Sequence, residues 1–185
     1  TASAPCFPYG VIDPIGEIGA IAQKHGLLFH VDSCLGGMML PFVEDLGYEI
    51  PPFDFRVSGV TSLSADIHKY GYSPKGASVI IYRSHELRKS QYFVMSSWPG
   101  GLYASPTMLG TRSGAPMAAA WAAIRTIGRE GYDRMAEAVM VSTARMKEGI
   151  EAIPGLKVMA KPVMSIFAFT SEKHDIYRIG DELAK

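Results

Sequence analysis

The sequence is short of cysteine, of net charge and of long apolar runs, and each shortage removes a class of function. Its two cysteines, Cys6 and Cys34, stand far apart with no CxxC and no Cys/His ligand spacing. That excludes a disulfide framework, offers no metal site and points to a reducing compartment. Eighteen Lys and Arg against eighteen Asp and Glu leave a formal net charge of +0. Without a basic field the chain has no means of drawing in nucleic acid or an anionic membrane, although a local pocket for one small phosphate is compatible with the balance. No apolar run approaches the ~20 residues that span a bilayer, and Thr1 opens no signal peptide.

What is present is a globular composition. Of 185 residues, 48% are hydrophobic, enough to bury a core in one or two domains. The first residue is not Met and the last ones, GDELAK, read as the middle of a helix, so the chain reads as an excerpt of a longer protein.

In VIDPIGEIGAIAQKHG, Asp13 reads as an N-cap and Pro14 as the first helical position, with Ile15, Ile18 and Ile21 on one face and His25-Gly26 as the stop. LLFHVD follows as a short buried strand that ends on a carboxylate, Asp32. After Gly36 and Gly37, MMLPFVEDLGY reads as a short helix and FDFRVSGVTSLSAD as strand. The intervening length allows a crossover, which makes the strands near residues 30 and 63 parallel. GASVIIYRS, after only about ten more residues, must return antiparallel. From Pro116, two Ala- and Met-rich helices are broken at Gly128 and Gly131, with methionines as core fillers, and LKVMAKPVMSIFAFTS begins another layer. Trp98 and Trp121 read as core or interface aromatics.

The candidate chemistry lies where strands end. Lys69, in TSLSADIHKYGYSPKG, follows its strand between His68 and Tyr70, and Asp32 ends the neighbouring one. Parallel pairing brings both to one sheet edge, where α/β proteins keep their sites. A lysine that forms a Schiff base and a carboxylate that faces a pyridinium nitrogen are the two protein groups that pyridoxal phosphate requires. Burial is expected to lower the pKa of Lys69 and free its amine. Plainer readings stand beside these: Asp32 as a helix N-cap, His68 bonded to a backbone carbonyl, Lys75 as an exposed turn residue, Thr111 in a composition-driven turn, Cys34 as inert packing.

HVDSCLGG, DIHKYGYSPKG and SSWPGGLYASPTMLGTRSG together resemble the fold-type I pyridoxal phosphate enzymes of the group II decarboxylase branch, and within it the sphingosine-1-phosphate lyases. The resemblance covers essentially the whole chain, which matches the middle of such an enzyme. It implies an α/β fold with a mostly parallel sheet: residues 1–130 in the cofactor-binding large domain, 131–154 a connecting helix, 155–185 the start of a small α+β C-terminal domain. It makes Lys69 the lysine that carries the cofactor and Asp32 the partner of the ring nitrogen. His68 is placed beside the cofactor phosphate, and Gly110 and Thr111 cap that phosphate from the neighbouring subunit of a homodimer. Lys75 is a contact to the substrate phosphate or a helper in proton transfer. Tyr9, assigned to the substrate side, and His30 fall in active-site segments. Phe7 stands where some relatives carry Tyr, so any role of that hydroxyl is absent or moved.

The implied reaction is retro-aldol cleavage of a phosphorylated sphingoid base to a long-chain aldehyde and phosphoethanolamine. The alternatives are an amino-acid decarboxylase, which shares Lys69, Asp32 and His68, and an inactive homologue or structural fragment. The isolated 185 residues are expected to be inactive. The compartment implied is the cytoplasm, or the cytosolic face of the endoplasmic reticulum where a longer parent carries a membrane anchor.

Overall fold

Alternation along two short segments builds the sheet on which the rest of the chain packs. The computed structural model describes all 185 residues. In it β1 (Ala2–Ser3), β2 (His30–Asp32) and β3 (Ser62–Asp66) run parallel, and β4 (Ser78–Tyr82) returns antiparallel to β3. The spatial order is β1-β2-β3-β4. Val31, Leu63 and Ala65 point into the core, while His30, Asp32, Ser62, Ser64 and Asp66 take the alternate positions, which face the other way. Full burial of a side chain such as Val31 is worth about 1.5–3 kcal/mol. The strand expected over FDFRVSGVTSLSAD is confined to its last five residues, because residues 54–59 turn.

The crossover from β2 to β3 carries α2 (Leu40–Asp45), whose Leu40 and Val43 are fully buried. Helix α1 (Ile15–Lys24) buries Ile15, Gly19 and Ala22, spaced for one face. Ile21 is 58% exposed, contrary to expectation, because successive three-residue steps fall short of a full turn and drift off that face. Asp13 does not cap the helix. Its Oδ2 accepts from the Ser3 N–H at 2.7 Å, tying the entry of α1 to β1, and Pro14 stands at the cap position. Gly19 and Gly59 touch: a Cβ on Gly59 would meet the Gly19 carbonyl oxygen at 2.0 Å.

β4 is the edge of the sheet, and Val79, Ile80 and Ile81 are exposed along it. After it come α3 (His85–Lys89), capped by Ser84, and an exposed pair, β5 (Phe93–Met95) and β6 (Tyr103–Ser105). Helix α4 (Ala115–Glu151) is two helices end to end, broken at Gly128, where φ is 62° and ψ 174°. Gly131, expected as a second break, is helical and buried. The first half leaves Met117 and Trp121 exposed, as Trp98 is, so these residues are not core in this chain. The second half buries Tyr132 and Ala136, and Tyr132 stacks on Phe42 of α2 at 5.1 Å.

Beyond α4, β7 (Leu156–Val158) and β8 (Phe169–Ser171) pair antiparallel, followed by α5 (Ile176–Leu183), which Asp175 caps. The strap between β7 and β8 packs back on the main layer. Met164 joins the main core, the Val163 N–H donates to the Gly10 carbonyl at 2.9 Å, and the hydroxyls of Tyr70 and Ser165 bond. No helix is long and apolar enough to cross a membrane.

Candidate active site

Parallel pairing sets His30 opposite Ser62 and Asp32 opposite Ser64, and the outward face of both strands becomes a polar row. His30 bonds through Nδ1 to Ser62 Oγ at 2.8 Å and through Nε2 to Ser64 Oγ at 3.2 Å. Ser64 Oγ also reaches Asp32 Oδ1 at 3.4 Å, and the Cys34 N–H donates to the same oxygen at 3.0 Å. Burial works against a charge on Asp32, but the Cys34 and Ser64 hydrogen bonds and nearby His30 together hold its carboxyl below the usual range. Burial pushes the His30 imidazole down, against the pull of Asp32.

Lys69 leaves the turn that follows β3. Its Nζ donates to Cys34 Sγ at 3.0 Å and pairs with Asp66 Oδ2 at 3.1 Å. Partial burial pushes its pKa down, but Cys34 and Asp66 outweigh burial and raise it. This corrects the expectation of a buried, neutral amine: a third of the side chain (33%) is exposed, and a carboxylate sits against it. The Cys34 thiol is pushed up by burial and by Asp32, against the pull of Lys69.

His68 bonds to a backbone carbonyl. Its Nδ1 lies 2.8 Å from the Ala77 oxygen, and since a carbonyl only accepts, Nδ1 carries the proton. Nε2, 3.7 Å from Asp66 Oδ2, is the nitrogen left to meet an anion.

The structure thus brings Asp32, Lys69 and His68 to one sheet edge and adds His30. It leaves the other candidates apart from them within this chain. Lys75 is exposed in the turn before β4, Tyr9 is exposed near the start of the chain, and Gly110 and Thr111 lie on the loop after β6. Sequence reasoning missed Ser64 and Asp66 altogether, and gave Cys34 no role. The signal was there: SLSAD at strand period places Ser62, Ser64 and Asp66 on one face.

An ionised carboxylate, Asp32, and a lysine, Lys69, each bonded to Cys34, suit the two ends of pyridoxal phosphate, its ring nitrogen and its aldehyde carbon, so the donor set fits that cofactor. Residues 6–172 match the family described as Pyridoxal-dependent decarboxylase conserved domain. The chain belongs to this family.

Among relatives of this pyridoxal-dependent family, the chain is 52% identical over 179 residues to the sphingosine-1-phosphate lyase of Arabidopsis thaliana, covering 97% of this chain and 33% of the relative. It is 46% identical to that of Saccharomyces cerevisiae, covering 99% of this chain and 31% of the relative. The chain therefore spans about a third of the length of these relatives. A solved sphingosine-1-phosphate lyase of Burkholderia pseudomallei superposes with a TM-score of 0.93 at 52% identity, over 97% of this chain and 41% of that one. A glutamate decarboxylase of Lactobacillus brevis superposes with a TM-score of 0.81 at 19% identity, over 99% of this chain and 43% of that one, a likeness of fold. The α/β architecture expected from sequence, with its mostly parallel sheet, is the fold of this family.

Proposed function

We propose that the protein carrying this chain is a pyridoxal-phosphate-dependent aldehyde-lyase. It would cleave a phosphorylated sphingoid base between Cα and Cβ, to a long-chain aldehyde and phosphoethanolamine. The observation that carries this reading is the contrast between two likenesses: 52% identity to a sphingosine-1-phosphate lyase structure against 19% to a glutamate decarboxylase of related fold. A shared fold hosts either chemistry, and the sequence-level likeness favours the lyase.

When bound, the cofactor supplies an electron sink beside the substrate's Cα. Lys69 would hold the cofactor's carbonyl carbon, and Asp32, kept ionised by Cys34 and Ser64, would keep a proton on the ring nitrogen. His68 Nε2 would contact the cofactor phosphate, and with Nδ1–H committed to Ala77 it could donate there only with both ring nitrogens protonated. Gly110 and Thr111 would meet the same phosphate from a second copy of the protein in a homodimer. Lys75 and Tyr9 meet the substrate, and Lys75 is the candidate to take the proton from the Cβ hydroxyl. The Lys69 amine would be the group that returns a proton to Cα.

The test is borohydride reduction of the full-length protein, peptide mass mapping and product analysis. A pyridoxyl group on Lys69 and aldehyde without carbon dioxide support the reading. An unmodified Lys69 in folded protein supplied with pyridoxal phosphate overturns it. Carbon dioxide from an amino acid, without aldehyde, would replace the lyase with a decarboxylase.

A further inference from the structure

The Lys69 ammonium is held from two elements at once. From the end of β3, Asp66 Oδ2 pairs with Nζ at 3.1 Å, and from the loop after β2, Cys34 Sγ accepts from it at 3.0 Å. Asp66 is itself fixed. Its Oδ1 accepts from Ser78 Oγ at 2.6 Å, across the Asp66–Ser78 rung of the β3–β4 ladder, and only 17% of its side chain is exposed. The groups around the ammonium are therefore Cys34 and Asp66 in contact, His68 sharing Asp66 at 3.7 Å, and Asp32 joined to Cys34 through the latter's N–H.

An amine bonds to a carbonyl carbon through a free lone pair, so a lysine paired as an ammonium cannot react until it leaves its partner and gives up a proton. We propose that Asp66 is a positioning residue that clamps Lys69 as the ammonium in the cofactor-free protein, so that capture of the cofactor waits on breaking this pair. The inference rests on the reading of Lys69 as the cofactor lysine. The clamp belongs to the sheet: β3 and β4 place the carboxylate, and the turn Ile67–Lys69 returns the lysine to it. The raised basicity of Lys69, against the effect of burial, agrees in direction.

The test is acylation of cofactor-free, full-length protein by an N-hydroxysuccinimide ester, from neutral to alkaline pH. Modification of Lys69 is read by peptide mapping as a ratio to Lys24, which is exposed on α1. Removing the opposite charge beside Lys69, whose side chain is one-third exposed, lowers its basicity, so Asp66→Asn is expected to speed Lys69 acylation at neutral pH about three- to tenfold. Asp66→Glu is expected to restore the slow rate. Equal rates in the wild type and Asp66→Asn overturn the clamp, as does a Glu variant as fast as the Asn variant. If Asp66→Asn does not fold, the wild-type profile decides: a Lys69 midpoint above that of Lys24 supports the clamp, and one at or below it overturns it. Borohydride trapping of added pyridoxal phosphate, on the same wild-type preparation, separates the two readings. No pyridoxyl group on Lys69 removes the cofactor role and the gating with it, while the acylation ratio still reports on the ion pair.

Discussion

Cys34 bridges Asp32 and Lys69: its N–H donates to Asp32 Oδ1 at 3.0 Å and its Sγ accepts from Lys69 Nζ at 3.0 Å. The first contact is an Asx turn, made possible by the two-residue spacing. The second joins the same residue to the lysine, which also pairs with Asp66.

The thiol is accordingly expected to react slowly as a nucleophile. Burial and Asp32 raise its pKa more than Lys69 lowers it, so alkylation of Cys34 by iodoacetamide is expected to rise with pH around a midpoint above the ordinary ~8.5. Lys69→Met removes the group that pulls the value down and should slow alkylation at mildly alkaline pH. Faster labelling in that variant would contradict the arrangement.

Asp32 carries an acid-side stability dependence. Its folded-state pKa lies below the unfolded value, which is near 3.9. Its charge therefore stabilises the fold at pH values above about 4, and that contribution is lost as the pH falls through the lower, folded-state pKa. Urea unfolding midpoints measured on acidification should fall more steeply for the wild type than for Asp32→Asn, whose amide does not titrate. Parallel curves would count against it.

Lys69→Arg separates placement from chemistry. A guanidinium can keep partners at Asp66 and Cys34, but it does not lose its proton in a protein. Thermal stability should stay near that of the wild type, borohydride trapping at position 69 should vanish, and turnover should fall on the order of 10²- to 10⁴-fold or further. An active Arg variant would mean that residue 69 is not the cofactor lysine.

Gly128→Ala tests the break in α4. Nothing lies within 4 Å of a Cβ there, so the cost is that of the backbone alone, φ 62° and ψ 174°, a region that is essentially glycine-only and costs about 1–3 kcal/mol for other residues. The expected outcome is a lower thermal midpoint with an unchanged response of Cys34 to alkylation. An unaffected midpoint would mean that the helix straightens freely.

The sheet was legible because its signals are local. The apolar run of LLFHVD ending on a carboxylate and the Val, Thr and Ser content of FDFRVSGVTSLSAD marked the strands, and the short HKYGYSPKG link dictated the antiparallel return to β4. The pairing of Asp32 and Lys69 at one edge followed from parallel strands alone. What sequence could not supply was the ionic company of Lys69. Asp66 is three residues earlier, a distance that only the turn after β3 closes, so a burial argument predicted a depressed pKa where the nearby carboxylate produces a raised one. Asp13 shows the same limit, for its tie to Ser3 spans two elements and competes with the local cap that the motif suggests. The exposure of Ile21 was readable, had the helix phase been carried one turn further.

β4 ends the sheet with one rail of N–H and C=O groups facing no strand, and with Val79, Ile80 and Ile81 showing beside it. Such an edge is a template for any extended chain, including another copy of itself. In this chain β4 is therefore where an added extended strand would find ready hydrogen-bond partners.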